Sequence, residues 1–237
     1  MSEPYFDQLK EWGRLIERLQ SQGKISEAIH ESIRANALAA KLLGPYHPAF
    51  AGGTSSLAYL YFQAGAHEQS IELLQDLLAI LSRNLPPEDS RITEIGFRIE
   101  YVKHHADQRR SDESDIRRSG IGAVAENNAD MANYLRLIGD GIRDIYGQTN
   151  DIEDLNLSIK FAERTLEGVP EDSTDQPLDI NNLAGRLIDR YERTADSGDL
   201  DRAVELLEKG SLLNAEENVR ATMLNNLAVA LRYRYER

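Results

Sequence analysis

The chain has 237 residues, a net charge of −13 and no cysteine. The absence of cysteine excludes a disulfide framework, a thiolate metal site and a cysteine nucleophile. The acidic excess falls mostly in residues 121–237 and disfavours nucleic acid as a partner, because like charges repel; no run of ~18 apolar residues predicts a membrane span.

The N-terminal part is predicted to form two helix pairs that repeat every 42 residues. Aligning Gly23 with Gly65 also pairs Leu15 with Leu57. Both glycines fall where a first helix ends and the chain turns, at positions that suit a left-handed backbone. The prolines of the linker LGPYHP should end the helix predicted over 24–42, since proline cannot continue it.

The middle of the chain repeats only weakly. Residues 88–106 have an apolar stripe typical of a first helix, and the following run QRRSDESDIRRSG is strongly polar. We therefore predict N-terminal repeats over 1–106, a degenerate repeat or mobile loop over 107–127, and C-terminal repeats over 128–237. One continuous solenoid is expected, and a hinge between two blocks of repeats is the alternative.

The C-terminal part contains the clearest repeat. Residues 181–193 read NNLAGRLIDRYER and residues 225–237 read NNLAVALRYRYER, so most positions are identical at a spacing of 44. A fixed period of this length is typical of stacked helical repeats. First helices are predicted over 131–146, 178–193 and 220–236, and second helices over 153–167 and 198–213.

Two aspartates are predicted to lie at the starts of the second helices. Asp154 and Asp199 each precede an apolar stripe, and a carboxylate there can accept from free amide groups and meet the positive end of the helix dipole.

Two segments resemble known repeat families. The run LGPYHPAFAGGTSSLAYLYFQAGAHEQSIELLQDLLAI resembles a tetratricopeptide repeat of the kinesin-light-chain type, with its Leu-Gly-x-x-His-Pro linker and Leu-Ala-x-Leu-Tyr core. The Asn-Asn-Leu-Ala and Asp-Leu-x-x-Ala-Val segments are similar to repeats that precede CHAT-type caspase-like peptidase domains. The resemblance implies an all-α, right-handed superhelix of about five helix pairs plus a terminal helix.

The resemblance also implies a concave groove, lined by first helices, that holds a peptide or a partner protein. In repeats that grip a peptide carboxylate, an asparagine precedes the conserved leucine of the first helix, and Asn182 and Asn226 occupy that place. The lysine and arginine of such a carboxylate clamp are not evident, which argues against a receptor for chaperone tails.

No catalytic or metal-binding motif stands out. The adjacent pair His104-His105 diverges by about 100° on a helix, which is unsuited to joint ligation, and no His-Glu-x-x-His is present. We expect no catalytic residues, no metal and no cofactor, and therefore a protein that is not an enzyme.

The paired asparagines Asn181, Asn182, Asn225 and Asn226 are the candidate partner-binding residues. Asparagine is a mediocre helix former, so its recurrence in two predicted helices needs an explanation. One interpretation is that these side chains bond the backbone of a peptide in the groove. The other is a hydrogen bond between repeats, from the asparagine to a backbone carbonyl of a neighbouring helix. The sequence leaves both open.

The recurring Arg-Tyr-Glu-Arg segments also have two interpretations. A row of cations could bind an acidic ligand, but repetition in successive units favours packing. On that interpretation Tyr191 and Tyr235 bury their rings between helices, and arginines such as Arg190 pair with local carboxylates such as Asp189.

The last helix differs from its predecessor at two positions that suggest an interface. Val229 and Tyr233 stand where the preceding copy has Gly185 and Asp189. A terminal capping helix normally turns a polar face to water. We therefore predict a C-terminal interface at Val229 and Tyr233, formed with a second copy, a partner, or the continuation of a longer chain, and expect this chain to end partway through a repeat.

These features predict a scaffold that binds another protein or a peptide, without nucleic acid or membrane. The alternative is the regulatory repeat array of a larger effector such as a CHAT-type protease. Because the first residues, MSEPYFDQLKEW, lack the basic and apolar regions of a signal peptide, we expect a cytoplasmic protein.

Overall fold

A computed structural model describes residues 3–110, 128–170 and 173–236. These residues form helices and no strand. The helices are α1 (Glu3–Ser21), α2 (Ile25–Leu43), α3 (Pro48–Gln63), α4 (His67–Asn84), α5 (Ser90–Arg110), α6 (Asn128–Thr149), α7 (Ile152–Gly168), α8 (Gln176–Thr194), α9 (Ser197–Ser211) and α10 (Glu217–Glu236).

Consecutive helices pack as hairpins. In the N-terminal part α1 packs on α2, and α3 packs on α4; in the C-terminal part α8 packs on α7 and on α9. The all-α class predicted from the sequence is confirmed for the described residues, and within each unit successive helices pair as predicted. Of the degenerate repeat or mobile loop predicted over 107–127, residues 107–110 belong to α5, and residues 111–127 lie outside the described residues.

The turns within the N-terminal hairpins depend on glycine. Gly23 and Gly65 have φ angles of 73° and 79°, which residues with a Cβ adopt only at a cost. As predicted, each follows the end of a first helix. The linker then stops α2 at Leu43 and starts α3 at Pro48, where the Nδ1 of His47 accepts from the amide of Ala49 at 3.1 Å.

The second helices of the C-terminal part begin at Ile152 and Ser197, one residue before the predicted starts. Asp151 and Asp196 are the N-cap residues, accepting from the amides of Glu153 and Gly198. As predicted, Asp154 and Asp199 lie in the first turn of their helices, three residues after the N-cap residues, and both are buried. Asp199 accepts from Nε and Nη2 of Arg190 at 2.7 and 2.6 Å, so Arg190 pairs across its own hairpin and not with neighbouring Asp189.

The chain divides into two compact units, 1–130 and 131–237. Each unit has its own buried core. The N-terminal core centres on side chains from α2, α3 and α4 that are almost fully buried: Ile29, Ile33, Phe50, Leu57, Leu60, Tyr61, Leu77 and Ile80. The C-terminal core includes Leu155, Ile159, Leu183, Ala184, Leu187, Leu200, Ala203, Val204, Leu207 and Met223.

Ion pairs join the first helices α6 and α8 within the C-terminal unit. Arg136 holds the buried Asp179 through Nε at 2.6 Å and Nη2 at 2.9 Å, and this hydrogen bonding raises the pKa of the Arg136 guanidinium. Arg186, buried on α8, donates to Asp140 at 2.6 Å. Burial lowers the pKa of Arg186, because desolvation disfavours the charged form.

Candidate functional site

A cavity of about 620 Å³ opens on the N-terminal unit, between first helices α1, α3 and α5. We call its lining residues the N-terminal groove. They are Ile16 and Gln20 of α1, Ser55, Ser56, Ala58, Tyr59, Leu60 and Phe62 of α3, Ser70 and Leu74 of α4, and Arg98, Tyr101 and Val102 of α5.

Aromatic rings form one wall of this groove. The rings of Phe62 and Tyr101 have centroids 5.7 Å apart, and His105 lies 4.1 Å from Tyr101. Tyr59 and Tyr101 are 52% and 55% exposed. Clustered exposed rings are unusual on a protein surface and are typical of binding sites, because each ring offers a large apolar area with a polar tip.

The charge of the groove differs from that of the whole chain. Arg98 is the charged residue among those that line the cavity. Its Nη1 donates to the hydroxyl of Ser55 on α3, and its Nη2 pairs with Glu94 at 2.6 Å. The guanidinium is thus held beside the aromatic wall and stays half exposed.

Contacts between successive first helices of this unit follow the repeat period. Gln20 Nε2 on α1 donates to Gln63 Oε1 on α3 at 2.8 Å, and Arg98 on α5 donates to Ser55 on α3. Both pairs are 43 residues apart. Because each first helix takes the same place in its repeat, side chains one period apart meet in the groove, which Ser70 and Leu74 of α4 complete.

The structure separates the four candidate asparagines. Asn181 is only 8% exposed, and its Oδ1 accepts from Asn226 Nδ2 at 3.0 Å. Asn182 is half-buried and Asn225 is exposed. The pair Asn181–Asn226 therefore makes the contact between repeats that was one of the two interpretations, although the acceptor is a side chain and not a backbone carbonyl.

Val229 and Tyr233 pack within their own unit. Both are partly buried against the C-terminal core. The ring of Tyr233 lies 5.6 Å from that of Tyr191, and its hydroxyl donates to Glu192 at 2.6 Å. This hydrogen bond raises the pKa of the Tyr233 phenol. Val229 and Tyr233 therefore pack against the core of their own unit, and Tyr233 also joins α10 to α8. The C-terminal interface predicted at these two residues stays a prediction.

Tyr235 differs from the expectation that it buries its ring. It is 92% exposed, whereas Tyr191 at the same place in the preceding repeat is half-buried. The two residues share the local sequence Arg-Tyr-Glu-Arg. The difference must come from the neighbours of the helix and not from the helix itself.

The site residues predicted from the sequence do not include the N-terminal groove, although the sequence contains a signal for it. α3 carries three aromatics in four positions, Tyr59, Tyr61 and Phe62. Tyr61 is buried, and burial raises its pKa to about 12, so the helical repeat angle turns Tyr59 to another face. An exposed aromatic residue two positions from a buried one, together with an arginine about one repeat later in the sequence, Arg98, marks the groove.

The remaining chemistry is sparse in the part of the chain that the structure describes. No group of three or more His, Asp or Glu side chains there is arranged to hold a metal ion. Within the same residues, no helix combines the length and apolar character needed to cross a membrane.

The chain is similar to two related solved structures. One is the crystal structure of nearly identical TPR-like repeats of a kinesin light chain from Podosopora anserina, at 19% identity and a TM-score of 0.35. The other is a single-substitution variant of that protein, at 18% identity and a TM-score of 0.36. In both, the match covers 100% of this chain and 90% of that chain. No family model matches, and no curated protein matches.

Both solved neighbours are TPR-like repeat structures. A likeness at this level carries no function to this chain. The association with CHAT-type proteases stays a prediction.

Proposed function

We propose that this chain is a non-enzymatic protein-binding scaffold, and that its N-terminal groove holds an extended peptide segment of a partner protein. The observation that carries the proposal is the open cavity of about 620 Å³ with an exposed aromatic wall. A cavity of this size suits a ligand of several side chains.

The groove offers both apolar and polar contacts to a peptide. Tyr59, Phe62 and Tyr101 supply apolar area for one or two side chains. Ser55 and Gln20 place a hydroxyl and an amide on the walls, and such groups bond a peptide backbone irrespective of its sequence. The expected mode is therefore aromatic anchoring with backbone hydrogen bonds alongside.

A further contact with the partner is proposed in the C-terminal unit. Asn182 and Asn225 are the two candidate asparagines whose described contacts leave their side chains accessible for it. In this proposal Asn181 and Asn226 have a structural role, because the hydrogen bond between their side chains holds α8 against α10.

The proposal is tested by selecting ligands from a displayed library of random peptides with the full chain, then measuring affinities by calorimetry. We expect Tyr101→Ala to weaken selected peptides about tenfold, since buried aromatic anchors dominate such interfaces. The matched control is Phe97→Ala, because Phe97 is an exposed aromatic on the same helix that does not line the cavity.

Circular dichroism should show that both variants melt like the wild type. Two results contradict a binding site in the N-terminal groove. One is an equal loss of peptide affinity in Tyr101→Ala and Phe97→Ala, and the other is a peptide affinity that neither substitution changes.

A further inference from the structure

The N-terminal groove offers a ligand more hydrogen-bond donors than acceptors. Hydroxyl and amide side chains can both donate and accept, so the balance is set by groups that do only one. Arginine only donates, and Arg98 has more N–H donors than its contacts with Ser55 and Glu94 use. A carboxylate only accepts, and the described residues that line the groove include no aspartate or glutamate.

The donors of the groove carry little net charge. Nη2 of Arg98 pairs with Glu94 at 2.6 Å, and Glu94 does not line the cavity. The other donors are the phenol hydroxyls of Tyr59 and Tyr101, which are half-exposed and make no hydrogen bond within the described residues. Because the charge of Arg98 is already balanced, the groove suits neutral carbonyl oxygens better than carboxylates.

Most peptides meet such a surface at a cost. An extended peptide presents an N–H donor and a carbonyl acceptor at nearly every residue, and an N–H group that loses water without finding an acceptor lowers affinity. Proline has a carbonyl group but no N–H. A proline-rich segment therefore brings the acceptors that the groove can satisfy and few donors that it cannot.

The aromatic wall suits the apolar side of the same segment. Phe62 contacts both exposed tyrosines, with centroids 6.3 Å from Tyr59 and 5.7 Å from Tyr101. The two tyrosine rings are therefore no farther apart than these two distances together, a span that fits one turn of a polyproline II helix, about 9 Å. Aromatic faces are electron-rich and attract the weakly positive C–H groups of proline rings.

We propose that the N-terminal groove binds a proline-rich segment of a partner protein in the polyproline II conformation, which rests on the peptide-binding function proposed above. Proline rings pack on Tyr59, Phe62 and Tyr101, and backbone carbonyls accept from Arg98 and from the two phenols. Charge complementarity is thus between donor groups and carbonyl dipoles. The polyproline II helix is largely formed before binding, so little conformational freedom is lost.

The probe is a fluorescently labelled deca-proline peptide, titrated with the full chain and followed by fluorescence anisotropy. We expect saturable binding. A peptide of the same length that alternates proline with alanine restores N–H groups along the backbone. We expect it to bind at least about fivefold more weakly, because those N–H groups lose water without an acceptor.

Variants of the groove assign the binding to its rings and donors. Tyr59→Ala and Tyr101→Ala should each weaken deca-proline binding about tenfold, because each removes an aromatic anchor. Tyr101→Phe keeps the ring and removes one donor, and should weaken binding about fivefold. The matched control is Phe97→Ala, at an exposed aromatic of α5 outside the cavity, which should leave the affinity unchanged. All substituted side chains are exposed, so the circular dichroism spectrum should not change.

Two results overturn the proline-rich ligand. One is the absence of saturable deca-proline binding, and the other is equal deca-proline affinity in the wild type, Tyr59→Ala and Tyr101→Ala. The selection from a random library separates this failure from that of the proposed function. Selected peptides that lose affinity with Tyr101→Ala but show no excess of proline overturn only the proline-rich ligand, whereas peptides unaffected by Tyr101→Ala overturn the groove as a binding site altogether.

Discussion

Asn226 and Asn181 show how one hydrogen bond explains a recurring residue. Nδ2 of Asn226 donates to Oδ1 of Asn181 at 3.0 Å, across 45 residues of sequence. Asn181 is buried, so its amide oxygen has lost water and depends on this donor. This hydrogen bond explains one asparagine in each of the two Asn-Asn sequences, Asn181 in the first and Asn226 in the second.

Replacing Asn226 by alanine should lower the free energy of unfolding by about 1–2 kcal/mol, because a buried acceptor then lacks its partner. The matched control is Asn225→Ala at the exposed neighbouring position, which should change it by less than about 0.5 kcal/mol. Urea unfolding followed by circular dichroism measures both. Equal losses for the two variants would show that the hydrogen bond is not what stabilises the α8–α10 contact.

At the scale of a helix, the start of α5 positions the cation of the N-terminal groove. Oδ1 of Asp89 accepts from the amide of Arg91 at 3.0 Å, and its carboxylate receives Nε and Nη2 of the same arginine at 2.9 Å. These side-chain hydrogen bonds lower the pKa of Asp89 to about 2. The cap fixes the beginning of the helix that carries Arg98 and Tyr101.

A pH titration tests this cap. The pKa of Asp89 is lower in the folded chain than its value of about 3.9 in the unfolded chain. The ionised Asp89 therefore contributes fully to the free energy of unfolding above about pH 4, and this contribution is lost as pH falls towards 2. Asp89→Asn should therefore lower Tm near neutral pH, and the difference from wild type should shrink between about pH 4 and 2. The isosteric control at the next residue is Glu88→Gln. A difference that stays constant over this range would exclude the charged cap.

At the scale of the whole molecule, each of the two units holds a core of its own. In stacked repeats stability is close to a sum of local terms, so a core substitution should act mainly on its own unit. Trp12, the single tryptophan, lies in the N-terminal unit and donates to Glu31 at 3.0 Å. Its fluorescence therefore reports on that unit, while circular dichroism reports on all helices.

Leu187→Ala in the C-terminal core should cost about 2–5 kcal/mol, shift the dichroism transition, and leave the midpoint of Trp12 fluorescence in place. Leu57→Ala in the N-terminal core is the matched variant and should move the fluorescence midpoint. Both leucines are fully buried. Coincident transitions by both probes in every variant would mean that the two units unfold together.

The sequence by itself determined the helices and their pairing. Gly23 and Gly65 mark turns because only glycine takes a positive φ there without cost, and the prolines of the linker end α2 for an equally local reason. The helices predicted with bounds, such as 24–42, 178–193 and 220–236, lie within a few residues of α2, α8 and α10, since apolar periodicity depends on neighbours three and four positions away. The predicted starts of the second helices, 153 and 198, lie one residue after the observed starts, and the N-cap residues Asp151 and Asp196 were not singled out because Asp154 and Asp199 suit a helix start equally well by composition.

The tertiary structure alone decided which surfaces are open. Tyr59, Arg98 and Tyr101 form a groove because residues one repeat apart meet in space, and no local pattern records that meeting. Tyr191 and Tyr235 share the same local sequence, yet one is half-buried and the other is 92% exposed. A helix position acquires its burial from the helix beside it, so the same local sequence can be part of the core in one copy and exposed in the next.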